Sequence, residues 1–221
     1  MYETLVTHYE SPLYMAKQIC EDAGISEAKF REIWNTTDED RTLGKKTLEV
    51  VIEEILRKNN RYSRELFQFI IEKRKKSKAE CFEHLHPEIV PMLSALKEKG
   101  IRIGLITNCY FEERDAIRDS ILYPYFQVHC MSCELGIKKP DPEIFYRCMQ
   151  DLKASADECI YVGDGGSSEL EAARAVGMHA IQATWYFKEG VANRYERKES
   201  FVQAASLRDI LSEIEKHNWS K

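Results

Sequence analysis

Tyr161-Val-Gly-Asp-Gly-Gly-Ser-Ser-Glu169 is the stretch that decides the fold. An apolar strand runs into a glycine-rich turn and then into a helix, and Asp164 stands at the turn. Open α/β sheets bind ligands beyond the carboxyl ends of their strands, where an acidic group can hold a hard cation beside a phosphate. Gly165 and Gly166 let backbone approach a ligand, and Ser168 with Glu171 matches a capping box for the next helix. Glu169 at the helix start backs up a cation site, or serves the helix dipole alone. The glycines make no dinucleotide fingerprint, which needs a glycine where Ser168 stands, and no P-loop, since no Gly-Lys-Ser/Thr follows.

Upstream and downstream of this turn the pattern is cyclic. Helix 87–99, strand 101–106, helix 112–122, strand 126–131, helix 142–152, strand 159–162, helix 169–176 and strand 178–183 predict a doubly wound, Rossmann-like parallel sheet, with a last helix over 202–216. Residues 11–85 read differently, as helices only. Ser11 and Pro12 begin a helix with Leu13, Met15, Ala16 and Ile19 on its apolar face and Gly24 at its end. Leu48, Val51, Ile52 and Ile55 make a second stripe, and Leu66, Phe67, Phe69, Ile70 and Ile71 a third. The run Lys73-Arg-Lys-Lys-Ser-Lys78 is read as a solvated helix end whose cations complement the dipole. The expected organisation is a linker over 1–10, an inserted α-helical unit over 11–85 and an α/β core over 86–221.

Composition excludes several classes. With 221 residues, 43% hydrophobic and 31% charged, the chain can bury a good core and a smaller second one. A net charge of −5 gives no global field for nucleic acid. No apolar run approaches the ~18 residues of a membrane span, and no export signal is visible, so a cytoplasmic location is expected. Seven cysteines, an odd number scattered through apolar segments, suit reduced thiols. Cys130-Met-Ser-Cys133 has redox or zinc spacing, but no second pair completes four ligands.

Two further strand ends carry chemistry. Strand 101–106 delivers Thr107 and Asn108, whose hydroxyl and backbone N–H can hold a phosphate oxygen next to a helix N-terminus. In Gly136-Ile-Lys-Lys-Pro-Asp-Pro-Glu-Ile-Phe145, Pro140 holds Lys139 extended, Asp141 caps the next helix and Pro142 fits its first turn. Lys139 is therefore aimed from a rigid segment at an anionic partner, while Lys138 points to solvent.

Together, Thr107, Lys139 in Lys-Pro-Asp-Pro, and Gly163-Asp164 with Glu169 resemble motifs two, three and four of the haloacid dehalogenase-like (HAD) hydrolase superfamily, over about residues 87–184. The resemblance implies that the helical insert is a cap, that Thr107 binds the transferring phosphoryl group with help from Asn108, that Lys139 steadies nucleophile and phosphate, and that Asp164, backed by Glu169, ligates Mg²⁺. The family's first motif is Asp-x-Asp-x-Thr. Laid on it, Thr4 takes the threonine place, Tyr2 the second aspartate place, and the nucleophile falls one residue before Met1. The expectation is that the native product begins upstream with a short apolar strand ending in Asp. In the family's sheet order this first central strand, missing here, lies between those ending at Thr107 and Asp164, so the chain alone is expected to be poorly stable or rearranged.

The function so implied is a Mg²⁺-dependent phosphatase that cleaves a small phosphomonoester through an aspartyl-phosphate. Two alternatives stand beside it: a non-catalytic module that binds a phosphorylated ligand, and a metal-independent 2-haloacid dehalogenase, which Tyr2 in an acid's place resembles.

Overall fold

In a computed structural model, described here for residues 1–187 and 196–216, helices α1 (Ala16–Ala23), α2 (Glu27–Trp34), α3 (Asp38–Thr42), α4 (Leu48–Lys58) and α5 (Arg64–Glu80) come first. Their stripes meet in one cluster, with Ile19, Phe30, Leu48, Val51, Ile52, Ile55 and Ile70 buried. Side chains start two of them, Thr47 accepting from the N–H of Val50 and Ser63 from that of Leu66. Gly24, at φ 64°, ends α1 in the left-handed region as expected. The start of α1 differs from the expectation. Ser11 does not cap it, because its hydroxyl donates to His8 O (3.3 Å) and lies 3.1 Å from Cys81 Sγ, and the helix begins four residues after Pro12, at Ala16. Leu13 and Phe69, assigned to apolar faces, are 39% and 44% exposed.

The α/β part follows as α6 (Ile89–Glu98), β1 (Gly104–Thr107), α7 (Phe111–Asp119), β2 (Val128–Met131), α8 (Ser132–Leu135), α9 (Pro142–Leu152), β3 (Ile160–Gly163), α10 (Glu169–Ala175), β4 (His179–Ala183), β5 (Val202–Ala204) and α11 (Leu207–Lys216). All pairings are parallel. Helices cover both faces: Leu105 packs with Met92, Leu96 and Ile210, whereas Ile106, its neighbour on β1, packs with Ile144, Phe145 and Leu170. This is the doubly wound arrangement. The expected last helix is broken. Val202–Ala204 adds a strand beside β4, and Asp209, accepting from the N–H groups of Ala205 and Ser206, restarts the chain as α11. The capping box at Ser168 is also absent, because Ser168 is left-handed (φ 49°) and Glu171 pairs with Lys198 at 2.6 Å.

Among the described residues the strands fall into two sets, β2–β1 and β3–β4–β5. The inner edges of β1 and β3 do not pair. The space between them is part of an open cleft of about 1550 Å³ that extends to the helical unit; Gly104, Leu105 and Ile106 line it from one strand and Ile160, Tyr161 and Val162 from the other. The N-terminal residues fold over one end of it, anchored where the Trp185 indole donates to Thr4 O at 2.9 Å.

The helical unit meets the α/β part where α5 packs on α7 and where α3 and the loop after it touch α8. Gly44 sits at φ +71°, and a Cβ there would come 1.9 Å from Cys133 O. Gly44→Ala is expected to cost roughly 2–3 kcal/mol from left-handed strain and backbone collision together. Chemical denaturation measures it, and an unchanged midpoint would contradict the packing.

Candidate active site

β1 ends at Thr107 and β3 at Gly163, so the loops after both strands open at the same end of the sheet. Thr107, Asn108, Lys139, Asp164, Glu169 and Tyr2 all line the one cavity. The loop after β1, Lys139 and the Asp164–Glu169 turn are brought together by direct contacts, whereas Tyr2 lines the same cavity against His8 and Phe82.

Lys139 is held at both its backbone and its tip. Asn108 Oδ1 accepts from Lys139 N (2.8 Å) and Asn108 Nδ2 donates to Lys139 O (3.0 Å), a reciprocal clamp that commits the Asn108 amide to the lysine segment. Asp141 accepts from Glu143 N at 2.9 Å and Pro142 opens α9, as the sequence predicted. At the tip, Lys139 Nζ donates to Glu169 Oε2 and to the Tyr161 hydroxyl (3.2 Å). Lys139 is 9% exposed, so this is a buried ion pair rather than a surface one.

Glu169 is saturated. Tyr161 donates to its Oε2 at 2.8 Å and the Gly165 N–H to its Oε1 at 3.2 Å, beside the Lys139 contact. The carboxylate fits only because Gly163 has no side chain, since a Cβ there would come 2.1 Å from Glu169 Oε1. Although burial alone would raise it, Lys139 and Tyr161 hold the Glu169 carboxyl below its ordinary range. Asp164 lies beside it with less support. It is 6% exposed, and burial, then the charge and hydrogen bond of Glu169, push its carboxyl up to about 7. Sequence reasoning missed two supports. The Tyr161 phenol was read only as part of a strand, and Gln182, wholly buried, donates to Asp164 O at 2.9 Å and fixes the turn.

Thr107 is 3% exposed, and its hydroxyl has only a 3.5 Å contact with Asn108 O, which leaves it available to a ligand. Tyr2 stacks on His8 with ring centroids 4.3 Å apart, and its hydroxyl has no partner. Burial holds that phenol well above its usual pKa, so it is a poor proton donor near neutrality. The two cysteines of the Cys-x-x-Cys spacing part company: Cys133 Sγ lies 3.8 Å from Cys109 Sγ, whereas Cys130 is buried in the same cluster as Cys148.

The residues fit a cation in one specific way. Among the described residues no group of three or more His, Cys, Asp or Glu side chains is placed to hold a metal. Burial and the neighbouring Glu169 push the Asp164 carboxyl up to about 7 although Lys139 and the Met1 amine act to lower it, and a divalent cation would relieve the same repulsion. Asp164 would offer such a cation one oxygen ligand, and the remainder would come from water and substrate oxygens, the usual mode for Mg²⁺.

A profile for haloacid dehalogenase-like hydrolases matches residues 1–177. The chain belongs to this family. The glyceraldehyde 3-phosphate phosphatase of Methanopyrus kandleri is 26% identical over 98 residues, 44% of this chain and 42% of that protein. That of Pyrococcus abyssi is 30% identical over 132 residues, 58% and 54% of the two chains. The chain thus spans about half the length of these curated relatives. The crystal structure of a 2-haloacid dehalogenase from Pseudomonas syringae shares the fold, with TM-score 0.68 and 21% identity over 97% of this chain and 95% of that one.

Asp164 gives this HAD-like hydrolase a measurable signature. The carboxyl titrates near 3.8 unfolded and near 7 folded, so its proton favours the fold fully below pH 3.8, and that contribution is lost as pH rises to 7. In chelator at about pH 8, Asp164→Asn should be more stable than the parent by roughly 2–4 kcal/mol, the gap closing by about pH 4. Thermal melts across pH test this, and parallel curves for the two proteins would contradict it.

Proposed function

We propose that this chain forms the phosphate-handling site of a Mg²⁺-dependent phosphatase acting on a small phosphomonoester. The observation that carries the reading is the sharing of one cavity by Thr107, Lys139 and Asp164, with Lys139 and Asp164 linked through Glu169. The Thr107 hydroxyl would hold one phosphoryl oxygen, next to the N-terminus of α7. The Lys139 ammonium, aimed by Asn108 and Glu169, would neutralise negative charge developing on the phosphoryl group. Asp164 would hold Mg²⁺, which supplies electrostatic shielding between an attacking carboxylate and the phosphate. Glu169, with both oxygens engaged, would orient Lys139 and Asp164 more than it ligates.

The attacking carboxylate belongs, in this proposal, to a strand seated between β1 and β3. The unpaired inner edges of those strands and the apolar side chains between them support this, since buried backbone groups without partners cost roughly 1–3 kcal/mol each. The helices of residues 16–80 serve as the cap, their Trp34, Asn35 and Asp38 lining the cavity opposite the strand ends. A phosphorylated small molecule is the partner in this reading, which invokes neither nucleic acid nor membrane. Among the described residues no helix is long and apolar enough to cross a membrane, and the buried free thiols support a cytoplasmic location. Tyr2 favours a second reading, a metal-independent dehalogenase, but Asp164 and Glu169 side by side point to the metal-using branch.

Hydrolysis of p-nitrophenyl phosphate decides between these. A version lengthened before Met1 by an apolar strand ending in Asp should turn over with Mg²⁺ while the 221-residue chain does not. Lys139→Ala in the longer form should lower the rate by about 100-fold or more. Phosphate binding without turnover in both forms would favour a binding module, and metal-free release of halide from 2-chloropropionate would favour the dehalogenase.

A further inference from the structure

In the basic run Lys73-Arg-Lys-Lys-Ser-Lys78, read as a solvated helix end, Arg74 and Lys78 turn inward. They are 3% and 2% exposed and pair with Glu112 at 3.5 Å and Glu113 at 2.6 Å where α5 packs on α7. Those pairs are internal to the seam. Ser132 and Gln182 differ from them: both are uncharged and wholly buried, and both direct their hydrogen bonds to backbone beside the site.

Ser132 follows β2, where Met131 lies opposite Thr107, the last residue of β1. Its hydroxyl accepts from Cys109 N at 3.0 Å and donates to Cys109 O at 3.3 Å, so one side chain holds both backbone polar groups of a residue in the loop after β1. That loop carries Thr107 and Asn108 before Cys109 and leads through Tyr110 into the first turn of α7. Gln182 stands on β4 opposite Gly163, the last residue of β3. Its amide nitrogen donates to Asp164 O and Glu196 O, both at 2.9 Å, and its oxygen accepts from Lys198 N at 2.7 Å and Gln203 Nε2 at 2.9 Å. The amide's hydrogen-bonding capacity is thereby filled. Gly165 makes room for it, since a Cβ there would come 2.9 Å from Gln182 Nε2.

The two halves of the sheet thus repeat one device. In each, a polar side chain from the outer neighbour, level with the end of the inner strand, pins the backbone of the loop that the inner strand delivers to the cleft. Neither pin lines the cleft itself. Among the described residues β1 and β3 do not pair, so neither pin supports the other's loop through the sheet. Buried polar groups are costly without partners, which holds each loop where these bonds are made.

We propose that Ser132 and Gln182 are positioning residues with separate roles: Ser132 sets the loop of Thr107 for the phosphoryl group, and Gln182 sets the Asp164 turn for the cation. This rests on the phosphatase reading of the cleft and adds the two residues behind it that decide how well each ion is bound.

Calorimetry on the 221-residue chain, with inorganic phosphate alone and with Mg²⁺ alone, separates the roles without turnover. Ser132→Ala should weaken phosphate binding by about tenfold and leave Mg²⁺ within about twofold of the parent. Gln182→Met should weaken Mg²⁺ by about tenfold or more and leave phosphate within about twofold. Thermal melts accompany both variants, because a merely structural role would lower the melting temperature without separating the ions. Equal losses for the two ions, losses crossed between them, or none at all would overturn the assignment. Where a variant does not fold, Ser132→Cys or Gln182→Asn, milder changes to the same bonds, takes its place with the same pattern expected. If the parent chain fails to bind one of the ions, the reading of the cleft fails for that ion, and its pin falls with it.

Discussion

The buried Lys139–Glu169 pair, with the Asp164 carboxyl next to it, is the interaction on which the rest of the site depends. Two carboxylates taken out of water side by side cannot both remain ionised without positive charge close by. Lys139 satisfies Glu169, and the Asp164 carboxyl is pushed up to about 7 despite the Lys139 and Met1 ammonium groups that act to lower it. Much of the local sequence serves that arrangement. Gly163 makes room for Glu169, Tyr161 and the Gly165 N–H complete its hydrogen bonds, Gln182 fixes the turn, and Asn108 clamps the lysine segment onto the loop after β1. The same contacts tie β1, β3, the segment before α9 and the start of α10 to one point.

That point lies at the mouth of a divided sheet. Among the described residues β1 and β3 each carry a neighbour on one edge only, and residues of both strands line the cleft between. The division therefore bears on chemistry as well as stability, since anything seated there would reach Thr107 and Asp164 at its carboxyl end.

The α/β succession was legible because its strands are apolar runs closed by glycine or proline signals, and Thr107, Lys139 and Asp164 were legible because each stands at a strand end or on a proline-stiffened segment. Boundaries were not. Residues 101–103 read as strand, yet pairing begins at Gly104, and 202–216 read as one helix because a three-residue strand leaves no periodicity of its own. Ser168 resembled a cap by residue type, but the left-handed turn that brings Glu169 inward overrides that preference. Arg74 and Lys78 were misread for a different reason. A charge run has no internal sign of which members face inward, and only the packing of α5 on α7 decides it.

The central claim is that one anion and one divalent cation share this site, and the coupling of their binding tests it most directly. If Asp164 and Thr107 act on the same bound phosphate, Mg²⁺ should tighten inorganic phosphate binding by about tenfold, phosphate should tighten Mg²⁺ by the same factor, and Asp164→Asn should abolish both effects. Independent binding of the two ions, or coupling that survives the loss of the Asp164 charge, would contradict it.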